Sequence, residues 1–113
     1  MASYAFFVPM LPGKLETWKK YMREMADKGK EMKASHKRAG LKVHRAWHQH
    51  TPQGDFTVVY MEAKDPAKVF EQFAKSTEPY DVWFRDKILI ECHGMDMKAP
   101  PPPMNQIMFD YKG

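Results

Sequence analysis

A single cysteine, Cys92, occurs among 113 residues, which excludes an internal disulfide and fits a reducing compartment. No apolar run approaches the roughly 20 residues needed to cross a bilayer. The opening Met-Ala-Ser-Tyr-Ala-Phe-Phe-Val-Pro-Met has no basic stretch ahead of its short apolar segment, so it does not read as a secretory signal. A soluble cytoplasmic protein with no membrane partner is the expectation. Glycine is sparse, with six in the chain, and neither a phosphate-cradling glycine loop nor a Gly-x-Ser-x-Gly elbow is present, which argues against nucleotide binding and elbow-type nucleophilic catalysis. Metal-ligand spacing is equally thin. His48 and His50 could place two imidazoles on one ion with Asp55 or Glu62 as a third ligand, but no second placed pair accompanies them. No metal and no cofactor are expected.

What is present is material for a packed core. Hydrophobic residues make up 43% and aromatics 13%, enough for one domain spanning residues 1–113 without staples. The net charge of +4 is concentrated between Lys14 and Gly40, where nine basic residues face four acidic ones. Glu16 near Lys19 and Lys20, and Glu24 near Lys28, read as a solvated helix face laced with opposite charges rather than a nucleic-acid surface. The segment Gly54 to Tyr60 has some likeness to an RNA-binding strand, but Asp55 and Thr57 occupy the positions where stacking aromatics are needed. No nucleic-acid partner is expected.

Tyr4 to Pro9 is aromatic and β-branched and reads as the first strand. Leu15, Trp18, Met22, Met25, Gly29, Met32 and His36 recur at spacings of three and four, which predicts one long amphipathic helix from Lys14 to Ala39, stopped by Gly40. Gly29 on its apolar stripe marks either a close-packing point or the start of a bend. Asp65-Pro66 opens a later helix, and a further helix is predicted from Tyr80 to His93, where Phe84, Ile88 and Cys92 fall four apart ahead of Gly94. A Pro-rich linker at 99–104 then delivers Asn105 to Tyr111 as a last strand.

Between the helices, His44 to Glu62 has the pattern of a β-hairpin turning through Thr51-Pro52-Gln53-Gly54-Asp55. Alternation puts Arg45, Trp47 and Gln49 on one face and His44, Ala46, His48 and His50 on the other. A four-residue loop would group Tyr60 and Glu62 with Trp47 and Gln49; a five-residue loop would group them with the histidines. Candidate catalytic residues are Glu62, His50 and Tyr60, with Glu62 or His50 as general base. An ion pair of Glu62 with Arg45 is the structural alternative. Trp47, Gln49, Arg45 and Phe109 are the candidate ligand-binding residues.

The order β-α-β-β-α-α-β predicts an α+β, ferredoxin-like fold with a four-stranded antiparallel sheet covered by helices on one face. The uncovered face would expose aromatics, which predicts a homodimer packed through its sheets. Together with Pro12-Gly13-Lys14-Leu15-Glu16-Thr17-Trp18, Trp47 to Asp55, Tyr60-Met61-Glu62 and Trp83-Phe84-Arg85 through His93-Gly94, this layout resembles small bacterial members of the dimeric α/β-barrel superfamily over nearly the whole chain. That superfamily includes cofactor-free monooxygenases, isomerases, mutarotases, haem-degrading enzymes and members without known activity. The resemblance implies a homodimer with a small-molecule cleft on the sheet face that takes an apolar or aromatic metabolite. Two classes follow: a monooxygenase- or isomerase-like enzyme, or a non-catalytic dimeric binding or stress-associated module.

Overall fold

The computed structural model describes residues 1–100 and 103–113. Strand β1 (Ala2–Pro9) leads into helices α1 (Leu15–Ala26) and α2 (Gly29–Ala39), then the hairpin β2 (Leu41–Thr51) and β3 (Gly54–Ala63). Helix α3 (Pro66–Lys75) and the short α4 (Pro79–Trp83) follow, and α4 runs on as a π-helical segment over Phe84–Glu91. The class is α+β. Among the described residues no helix is long and apolar enough to cross a membrane.

The sheet corrects the four-stranded ferredoxin-like expectation. Among the described residues it has three antiparallel strands in the order β1-β3-β2, and Asn105 to Tyr111 adds no strand to it. A strand must exchange backbone hydrogen bonds with an edge. Here the tail touches β1 through a side chain, the Asn105 amide donating to the Ala5 carbonyl. Ile107, Phe109 and Tyr111 alternate as a strand would, yet all three are exposed. The predicted 99–104 linker falls in part on residues 101–102, which lie outside the described residues.

The long helix is also two helices. Asp27 and Lys28 donate their backbone N–H groups to Glu24 and Met25 rather than continuing the ladder, and a new helix opens at Gly29. This is the bend that the glycine on the stripe allowed. Gly40 closes α2 at a φ of 70°, a left-handed stop that glycine adopts without steric cost.

The hairpin loop is Pro52-Gln53, because Thr51 pairs with Gly54. This even-numbered loop gives the same facing as the four-residue alternative: Arg45 lies opposite Tyr60, Trp47 opposite Val58 and Gln49 opposite Phe56. On the other face His44 lies opposite Met61, Ala46 opposite Val59 and His48 opposite Thr57. A bulge at Lys42, between Leu41 and Val43, shifts the parity of β2 so that Leu41 and His44 both turn toward the helices.

That second face carries the core. Tyr4, Val59, Met61 and Ala63 pack from the sheet against Trp18 and Tyr21 of α1, Val69 and Phe73 of α3, and Phe84 and Ile88 of the π-helical segment. Phe70 meets Tyr4 edge-on at 5.8 Å, and Phe73 meets Phe84 at 4.8 Å between ring centroids. At the base of the helices Asp81, fully buried, accepts hydrogen bonds from Ser35, from Ser76 at 2.6 Å and from Arg38 at 3.2 Å. Burial pushes its carboxyl up, but the bonds from Ser35, Ser76 and Arg38 outweigh this and hold it below the usual carboxylate range. The ion thereby ties α2, α3 and α4 together.

Candidate functional site

Candidate side chains gather on both faces of the sheet. On the uncovered face, Tyr60 donates its hydroxyl to Glu62 at 2.8 Å. The two sit two residues apart on β3 and so share a face. The Glu62 carboxylate pushes the Tyr60 phenol up, partial burial adds to this, and Arg45 across the strands opposes it. Among the described residues Arg45 and Glu62 form no ion pair, so Tyr60 takes the place of the arginine as the partner of Glu62. Trp47 and Phe7 flank this group and are 52% and 70% exposed. Gln49 lies farther along and donates to the His50 carbonyl. Phe109 is exposed on the tail.

The pairing separates His50 from this group. His50 lies opposite Asp55 on the helix side, and seven residues of strand between Asp55 and Glu62 span about 24 Å at 3.4 Å per residue. At that end of the hairpin His48 and His50 both donate to the same Asp55 oxygen, at 2.7 and 3.0 Å, and these two bonds hold the Asp55 carboxyl below its ordinary value. Among the described residues no three histidine, cysteine, aspartate or glutamate side chains are arranged to hold a metal ion.

A cavity of about 850 Å³ lies between the sheet and the helices. Phe6, Ala46, Val59 and Met61 form its floor; Met22, Met25, Met32 and Phe70 come down from the helices. Methionine at this density gives a polarizable, adaptable lining. Ala46 is both exposed and part of the lining, so the cavity is open to solvent beside it.

Two hydrogen-bonded pairs, each containing a histidine, stand at opposite ends of it. At one end, Nδ1 of His36 lies 2.8 Å from the Met32 carbonyl, and Nε2 of His36 lies 2.9 Å from Nδ1 of His44. A carbonyl only accepts, so His36 carries its proton on Nδ1. With both rings neutral, Nε2 of His36 must accept, Nδ1 of His44 must donate, and Nε2 of His44 is left as a bare lone pair. Burial, with the neighbouring His36 adding to it, lowers His44 to about 4. At the other end, His93 donates from Nδ1 to the Ile88 carbonyl at 2.7 Å and accepts the Thr57 hydroxyl on Nε2 at 2.8 Å. Burial lowers His93 as well, partly offset by its bond to Ile88. Thr57 and Met61 are four residues apart on β3, which puts the two pairs about 14 Å apart.

His36, Thr57 and His93 were not singled out by the sequence pattern. His36 read as the last member of an apolar stripe, and a histidine four residues after a methionine on such a stripe was the one local hint that it turns inward. Thr57 and His93 lie far apart in the chain and are joined only by packing.

No solved structure matches the chain. Among curated proteins it is similar to the ribosome biogenesis protein ERB1 of Scheffersomyces stipitis, at 44% identity over 43 residues, covering 36% of this chain and 5% of that protein. So short a share of the relative carries no function across. The description "Family of unknown function (DUF6176)" matches over residues 6–98, most of the chain, and the protein belongs to that family.

Proposed function

We propose that this protein binds a small apolar or aromatic metabolite in the cavity between the sheet and the helices. The observation that carries the reading is the cavity itself. At about 850 Å³ it falls in the range of small-molecule sites, which are mostly apolar with a few placed polar groups. The expected cleft on the sheet face is thus moved to the opposite face, and Glu62, Tyr60 and Trp47 are not part of it. An enzyme of the isomerase or cofactor-free monooxygenase kind would use the same cavity, with His44 as the group able to take a proton. The non-catalytic alternative is a binding module that holds the ligand unchanged.

The uncovered face supports a second element of the reading, a homodimer. Phe7 and Trp47 stand exposed beside Phe56 and Val58, an apolar patch of the kind monomers seldom leave open. Packing sheet to sheet, as in the dimeric α/β barrels that the sequence resembles, would cover this face.

The test of the cavity is titration with 1-methoxynaphthalene, followed through tryptophan fluorescence, in the wild type and in Ala46→Trp. Saturable binding of one molecule per chain, lost when the indole fills the floor, is expected. Binding that does not saturate, or that survives Ala46→Trp unchanged, would remove the reading.

A further inference from the structure

We propose that Nε2 of His44 is the polar anchor of this cavity, and that its ligand is an uncharged molecule carrying an aromatic or enolic hydroxyl that donates to it. The inference rests on the cavity reading above and adds the chemical class of the ligand. It starts from the direction of the hydrogen-bond chain. Met32 can only accept, and with both rings neutral that fixes each proton in turn through His36 to His44. The last nitrogen is an acceptor.

Among the described residues Nε2 of His44 has no hydrogen-bond partner, and it is not one of the buried atoms left unpaired, so a molecule in the cavity can reach it. The ring is held in place from two sides, by His36 at 2.9 Å and by the edge of Phe84 at 6.4 Å between centroids. A fixed ring with one accessible lone pair selects for a donor of fixed position.

The surroundings decide which donor. A carboxylate would bring its own lone pairs against that of His44. An ammonium could donate, but it would lose its hydration in a largely apolar cavity whose wall holds Lys33, Lys42, Lys75 and Lys98 against Glu71 and Asp96. A neutral hydroxyl on a flat apolar body meets neither penalty. It would donate to His44 with its ring among Met25, Met32 and Phe70 of the lining. A molecule of the same shape lacking the hydroxyl would cover the His44 lone pair without satisfying it, and should bind about tenfold more weakly.

A matched pair of probes tests this on the full-length protein: 1-naphthol and 1-methoxynaphthalene, in the wild type and in His44→Phe. The expected result is a wild-type preference of about tenfold for naphthol, falling to near unity in His44→Phe while the ether binds as before. Equal affinities in the wild type would overturn the His44 assignment and leave the cavity reading standing, as would a naphthol preference that survives His44→Phe. If neither probe binds, the cavity reading fails and this one with it. Should the variant not fold, nitrogen-15 NMR of the wild type decides. Nε2 of His44 should resonate as an unprotonated nitrogen in the free protein and move on addition of naphthol but not of the ether. A protonated Nε2 at neutral pH, or the same response to both probes, would overturn the proposal.

Discussion

Acidification offers a measurable consequence of the buried histidine pair. His44 has an ordinary value of 6.5 and is lowered to about 4 in the fold, first by burial and then by His36. As pH falls through 6.5 the unfolded chain takes up the proton while the folded chain does not, so stability is lost until the folded value is reached and then levels off. At 1.36 kcal/mol per pKa unit the full effect is at most about 3 kcal/mol, of which about 2 kcal/mol falls between pH ~7 and pH ~5. That is a large part of the margin of a small domain. His93 acts in the same direction, and Asp81, held low, matters only below the ordinary aspartate value of 3.8. The His44 share is therefore isolated by His44→Gln, which keeps a donor for His36 and has no proton to gain. Urea unfolding followed by the fluorescence of Trp18 and Trp83 would measure both proteins across that range. The wild type should lose about 2 kcal/mol more than the variant. Parallel losses would refute both the depressed value and the neutral chain built on it.

Two further outcomes follow from the packing. Asp81→Ala removes the acceptor of Ser35, Ser76 and Arg38 at a point closed to solvent, and should lower stability by about 3 kcal/mol; a loss below about 1 kcal/mol would mean that the three donors find other partners. Trp47→Glu puts a charge at the centre of the uncovered sheet face, and should turn a sedimenting dimer into a monomer without changing probe binding in the cavity. A wild type that sediments as a monomer at micromolar concentration would remove the dimer.

The sequence made the hairpin legible because its two arms alternate cleanly, and only the loop length was open. Thr51-Pro52-Gln53-Gly54-Asp55 supports several closures, and pairing across the strands had to choose the two-residue one. The break between α1 and α2 was half legible: Gly29 signalled weakness on the stripe, but whether a helix bends or packs closely there depends on what the second half must reach. Here α2 sits over β2 and brings His36 to His44. The missing fourth strand shows the opposite failure. Ile107, Phe109 and Tyr111 have strand alternation, and alternation says nothing about whether an edge accepts them. The cavity escaped sequence reading for a related reason. Methionines on an amphipathic helix look like core filler until the opposing strand supplies Ala46 instead of a large residue, and the direction of the His36–His44 chain exists only once Met32, one turn earlier on α2, is seen to accept.

The most direct measurement of the central claim is carbon-13 methyl NMR of the methionines during titration with 1-naphthol. Met22, Met25, Met32 and Met61 line the cavity, whereas Met104 and Met108 are exposed on the C-terminal tail beyond it. The account predicts that the cavity methyls shift together, saturating at one molecule per chain, while the tail methyls stay in place. Shifts confined to Met104 and Met108, with the cavity methyls unmoved, would contradict it and return the binding site to the uncovered face of the sheet.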